Sequence, residues 1–218
     1  MPSARPDQAP CSRPSLNLDP PANALLLAPS TAAAGDDACT DLLAPVDPAA
    51  MDLLLVTTDR TPDERLAAWA ASESRPPARG GVVGVDDTRS AAASADGPGR
   101  AGPSVGDRRF HRTAVAGPGD LVGLGTAVSR ALRAWDGDGN RPVVCVRSLT
   151  DLLGHAEDRP VFRLLHTLTG LVETADGVAH YHMDPEAHDE RTLRTFRSLF
   201  DVVFEHDGDG WHRAPGPD

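Results

Sequence analysis

Short, nearly uninterrupted apolar runs recur along this chain, and most are separated by stretches with a helical period. The runs are 24–28 (ALLLA), 52–57 (DLLLVT), 81–86 (GVVGVD), 142–146 (PVVCV), 177–182 (GVAHYH) and 201–205 (DVVFE). A strand with one wet face alternates apolar and polar residues, so a run without alternation belongs where both faces are covered. The stretches between supply the cover. Residues 61–72 open with Thr61, Pro62 and Glu64, the pattern of a capping box. Residues 119–135 place Leu121, Leu124, Val128, Leu132 and Trp135 on one helical face, and 159–174 do the same with Phe162, Leu165, Leu168 and Val172. Asp158 is the expected cap of the latter helix. Asp184 followed by Pro185 and Glu186 predicts one more helix start. The alternation predicts an α/β fold: a doubly wound, mainly parallel sheet with helices on both faces.

The remaining segments lack such patterning. Residues 1–21 read as a disordered leader rich in Pro, Ser and Asp, and about 87–112 as a long flexible loop. The domain then spans 22–206. Residues 207–218 form a turn and tail, in which the Asp-Gly of FEHDGDGWHR suggests a short return strand at the sheet edge.

Charge and composition narrow the function classes. A net charge of −11 argues against nucleic acid or an anionic membrane as a partner. All 21 basic residues are arginine. That bias with abundant Asp and Ala fits a GC-rich genome, and the acid excess fits solubility in high salt, so a haloarchaeal source is expected. The three cysteines, Cys11, Cys39 and Cys145, are too scattered for a disulfide framework or a paired-cysteine metal site. Cys39 and Cys145 fall in apolar segments and read as small buried residues. With no signal-like N-terminus and no apolar run of spanning length, a cytoplasmic protein is expected.

In a sheet of this kind, ligands bind beyond the carboxyl ends of the strands. After the first run comes PSTAAAGDD, where a phosphate-binding loop would carry several glycines and a lysine. The chain has no lysine, and only Ser30 and Thr31 offer hydroxyls there. After the fourth run, where a phosphate-loop enzyme keeps a magnesium-holding aspartate, the chain reads VVCVRSLTDLL. Arg147 takes that position, and a guanidinium cannot ligate a cation. Asp151, four residues on, is expected inside the following helix.

The segments NALLLAPS, ACTDLLAP, LLLVTTDRTPDERLAAW, GDLVGLGTAVSRAL, VVCVRSLTDLL and LLHTLTGLVETADGVAHYHMDPEAHDERTLRTFRSLFDVVFE together resemble a haloarchaeal family of uncharacterised RecA/KaiC-like proteins. The resemblance covers roughly residues 22–206. It implies a RecA-like core whose phosphate loop has degenerated, and a vestigial nucleotide site at Ser30, Thr31, Arg147, Ser148 and His182. KaiC-like relatives associate through such cores, which implies a homo-oligomer or a protein partner.

The last run carries a second chemistry. His180, His182 and Asp184 alternate in AHYHMDPEAHDE, and His188 follows, so imidazole and carboxylate donors suited to Zn²⁺ gather in a few residues. The run resembles the H-x-H-x-D-H signature of metallo-β-lactamase-type hydrolases but breaks it, since no histidine follows the aspartate directly. Against a metal role, Asp184 is a ready helix cap and His180 a satisfied core histidine. Two further patterns are set aside. WDGDGN (135–140) lacks the later glutamate of a calcium loop and reads as a helix-ending turn, while GPGDLVGLG does not follow a strand in dinucleotide register. The arginines of DRRFHR read as solvated loop charges.

The expectation is therefore a non-catalytic domain acting through protein contacts, in regulation or signalling, with no cofactor. One alternative is a sensor that binds ATP without hydrolysing it. The other is a metal-dependent hydrolase built on the histidine cluster.

Overall fold

The computed structural model describes residues 18–30, 46–72, 76–85, 104–105, 108–207 and 210–214. Its strands are β1 (Ala22–Leu27), β2 (Met51–Thr57), β3 (Arg79–Val85), β4 (Ser104–Val105), β5 (Arg108–Arg109), β6 (His111–Val115), β7 (Arg141–Arg147), β8 (Val178–Met183), β9 (Val202–His206) and β10 (Trp211–Arg213). Eight of them form one sheet in the order β10-β9-β1-β8-β7-β2-β3-β6, and β4 pairs with β5 alone. Neighbours in the large sheet are parallel except β10, the return strand, which lies antiparallel on β9. The helices are α1 (Pro62–Ser72), α2 (Leu121–Trp135), α3 (Leu149–His155), α4 (Asp158–Thr174) and α5 (Glu190–Arg197). Among the described residues no helix is long and apolar enough to cross a membrane.

Strand periodicity divides the core into two faces. One face gathers Leu25 and Leu27 of β1, Leu54 and Val56 of β2, Val144 and Val146 of β7, and Tyr181 and Met183 of β8 into a single cluster. Helices α2 to α5 cover it with Leu124, Val128, Leu152, Leu165, Leu168 and Phe196. A fully buried phenol is satisfied there: the Tyr181 hydroxyl donates to Asn23 Oδ1 at 3.2 Å, and Asn23 Nδ2 donates to the Thr169 carbonyl at 3.4 Å. Burial pushes the Tyr181 phenol far above its ordinary range, with Asp201 and Glu173 adding to the shift.

The opposite face is split. Met51, Leu53, Leu55, Val82, Val143 and Cys145 meet Leu66 and Trp69 of α1 and Phe110. Further along, Ala24, Leu26, Val202, Phe204 and Trp211 form a separate cluster. Between the two runs β8, whose side chains on this face include His180 and His182, both buried.

Several local expectations are met. Glu64 Oε2 accepts the Thr61 amide at 2.9 Å while Thr61 Oγ1 accepts the Glu64 amide at 3.3 Å, closing the capping box of α1. The Thr61 amide first, and then the Thr61 hydroxyl, which donates to the same Oε2 at 2.9 Å, hold the Glu64 carboxyl below its ordinary value. WDGDGN ends α2 as a turn, with Gly137 and Gly139 at φ of 76° and 86°, where a side chain would be strained.

Other boundaries move. The stretch expected as loop to Arg112 gives way to strand β6, which starts at His111 and forms the sheet edge. An edge strand tolerates polar residues, so HRTAV carries no apolar run to announce it. Glu157, not Asp158, holds the N-cap position of α4, and it makes no side-chain capping bond. The helix expected at Asp184 is a 3₁₀ turn, Pro185–Ala187, and α5 starts afresh with Asp189 accepting the Thr192 amide at 2.7 Å. Cys11, Cys39 and nearly all of the leader lie outside the described residues, as do most of 87–112 and the final residues of the tail.

Candidate functional site

The carboxyl ends of β1, β2, β7 and β8 open onto a cleft of about 340 Å³. Among its lining residues are Ser30, Asp59, Arg147, Ser148, His182 and Asp184. The structure therefore brings together four of the five residues expected at a nucleotide site. The fifth, Thr31, lies outside the described residues.

Each of the four is held by a different local device. Ser30 is exposed, and its amide donates to Asp184 Oδ2 at 2.8 Å, which ties the end of β1 to the end of β8. Arg147 ends β7 at 7% exposure, and its Nε lies 3.6 Å from Asp59 Oδ2 in the turn after β2. The Thr58 amide donates to the Arg147 carbonyl at 2.8 Å, fixing that turn against β7. Ser148 caps α3: its Oγ accepts the Asp151 amide at 3.2 Å, so the hydroxyl has a structural task. Asp151 sits in α3 as expected, lining the cleft.

His182 stands at the back of the cleft, with its Nε2 3.8 Å from Cys145 Sγ on β7. His180 lies deeper, its ring edge-on to that of His182 at a centroid distance of 5.3 Å. Parallel register pairs Cys145 with His180 directly across the two strands. One ligand atom from each of Cys145, His180 and His182 falls within 4.8 Å of the others, and all three residues are buried. A fourth buried group reaches them. Arg65 of α1, 1% exposed, donates from its guanidinium to Cys145 Sγ at 3.0 Å.

Asp184 and His188, expected as further metal ligands, are occupied elsewhere. Asp184 Oδ1 accepts the Glu186 amide at 2.9 Å, and the Asp184 amide donates to Thr150 Oγ1 at 2.9 Å. Burial pushes its carboxyl upward, but the bonds from Ser30 and Glu186 and the nearby His188 outweigh this and leave it below its ordinary value. His188 Nε2 lies 3.1 Å from Thr150 Oγ1, and burial holds its imidazole below the usual histidine range despite the carboxylates around it.

Sequence reasoning found the histidines but not their partners. The period-2 pattern put His180 and His182 on one face; nothing local said that Cys145 would stand opposite. Arg65 was hidden in a helix whose apolar positions, Leu66 and Trp69, gave no sign of a buried charge beside them.

A mostly parallel sheet with helices on both faces is a fold this chain shares with solved archaeal structures, a KaiC-like protein among them. The KaiC-like protein PH0186 of Pyrococcus horikoshii superposes with a TM-score of 0.50 at 11% identity, over 88% of this chain and 76% of that one. PH0250 of the same organism gives 0.57 at 10% identity, over 90% and 87%. The uncharacterized PH0321, solved in complex with an unknown peptide, gives 0.53 at 13% identity, over 90% and 83%. No curated protein matches the chain. By sequence, the chain belongs to the DUF7504 family, a family of unknown function whose model matches residues 21–206.

Proposed function

We propose that this protein is a RecA/KaiC-like domain that does not hydrolyse nucleotides and works through protein contacts, as a homo-oligomer or with a regulatory or signalling partner. The observation that carries the reading is Arg147. Its guanidinium, nearly buried and 3.6 Å from Asp59, stands at the strand end where magnesium-dependent phosphoryl transfer needs a carboxylate. A cation placed there would meet a fixed positive charge. The absence of lysine from the whole sequence removes the usual counter-charge for a β- or γ-phosphate. With a net charge of −11, neither nucleic acid nor an anionic membrane is the expected partner.

A second reading rests on the same cleft. Ser30, Arg147, Ser148 and His182 line one space, and an arginine can hold phosphate oxygens through paired donors. A sensor that binds nucleotide without turning it over would use it so.

Phosphate release from ATP–Mg²⁺, measured beside light scattering of the same sample, tests both halves of the proposal. The expected result is release no faster than without protein and a mass above one chain, or a defined complex with a partner. Turnover that disappears in Arg147→Ala would overturn it.

A further inference from the structure

We propose that Cys145, His180 and His182 form a three-ligand site for a zinc-class divalent cation, with its fourth coordination position turned toward the cleft that His182 lines. This goes beyond the reading above and does not rest on it.

The geometry is the first argument. Tetrahedral zinc with bonds of about 2.3 Å to sulfur and 2.0–2.1 Å to nitrogen implies a sulfur–nitrogen edge of roughly 3.6 Å. Cys145 Sγ and His182 Nε2 are 3.8 Å apart, and His180 completes a triangle whose atoms lie within 4.8 Å. Adjacent parallel strands hold the three Cα positions around that triangle.

The surroundings are the second argument. These side chains are 0–7% exposed, Cys145 at the margin of one apolar cluster and the two histidines between it and the next. Arg65 strengthens the case. Its guanidinium donates to the sulfur at 3.0 Å and acts as an outer partner that orients the ligand.

Charge then describes the fourth ligand. One thiolate and two neutral imidazoles leave a divalent ion with a net charge of about +1. Arg65 adds to it, and Arg147 lines the cleft in front. The open position therefore suits an anion, either hydroxide or an oxyanion group of a ligand. Asp184 and His188 are not in the set, since Ser30, Glu186 and Thr150 hold them outside it.

The test is a cobalt titration of untagged, full-length protein freed of metal by dialysis against a chelator. One Co²⁺ per chain should bind, with the visible bands of a tetrahedral site and a near-ultraviolet thiolate-to-cobalt band, all displaced by Zn²⁺. The bands should persist in Cys11→Ser/Cys39→Ser, whose one thiol is Cys145, and in His188→Gln. They should vanish in Cys145→Ser. A folded wild-type protein giving only the weak spectrum of hydrated cobalt would overturn the proposal, as would bands that survive Cys145→Ser. Should Cys145→Ser fail to fold, loss of the bands in Cys11→Ser/Cys39→Ser overturns it and their retention supports it.

Discussion

The two faces of this sheet are built from the same strands but solve different problems. One is a continuous apolar cluster under α2 to α5, whose buried polar groups are paired within the fold, Tyr181 with Asn23 and Asp52 with Arg79 and Asn140. The other, toward α1, is two apolar clusters with Arg65, Cys145, His180 and His182 in or between them, and Arg147 at the cleft end. The first face is mainly a matter of volume and hydrophobicity, with its few buried polar groups paired. The second holds a guanidinium, a thiol and two imidazoles out of water, which folding alone does not favour. Stability is therefore expected to come mainly from the first face, and ligand chemistry from the second.

The sharpest way to break this contrast is a core deletion on the first face. Leu165→Ala, at a fully buried position in α4, should cost about 2–5 kcal/mol in denaturant unfolding, as large cavities do. A loss well under that range would mean the helical layer is not the main source of stability.

On the second face, single and double changes should disagree. Cys145→Val alone takes the sulfur acceptor from a buried guanidinium and should cost about 1–3 kcal/mol. The double variant Arg65→Met/Cys145→Val, apolar and similar in volume, should recover most of that loss, leaving a deficit below about 1.5 kcal/mol. Equal losses in single and double variants would show that the contact has no polar cost to relieve.

Removing a cap is a smaller perturbation. Asp120 Oδ1 accepts the Gly123 amide at 2.9 Å at the start of α2, so Asp120→Ala should cost about 1 kcal/mol. Its effect should add to that of Leu165→Ala if the helical layer behaves as packed, separable parts.

The smallest expected effect is on pH. Burial lowers the His188 pKa in the folded protein, so between its folded value and the ordinary value near 6.5 the unfolded chain binds more protons. Stability from this group is complete above about pH 6.5 and declines as pH falls below it. A shallower slope in His188→Gln, read from unfolding midpoints between about pH 5 and 7, is the expected result. An unchanged slope would assign the dependence to other groups.

How much of this was legible follows the same division. Parallel strands covered on both faces write themselves as apolar runs, so β1, β2, β3, β7, β8 and β9 could be read to within a residue or two at most ends. Strand β6 could not, because an edge position relaxes the demand for apolar residues. The cleft was legible through what it lacks, a lysine and a strand-end carboxylate, since both are local facts. The Arg65–Cys145–His182 contact was not, because it joins residues 80 and 37 positions apart through sheet register and helix placement. Nor did the sequence show that Asp184 would be engaged by Ser30 from across the cleft. Such long-range polar pairings leave no periodic trace.

The most direct test of the claim that a guanidinium has replaced a cation site is thermal unfolding of metal-free protein with saturating ATP, once with added Mg²⁺ and once without. ATP at a hundred times its dissociation constant would contribute about 2.7 kcal/mol, so any binding is readily seen. The account predicts the same midpoint in both, whether or not ATP itself stabilises the protein. A midpoint that rises only with Mg²⁺, and loses that rise when Asp59 or Asp151 is changed to Asn, would contradict it.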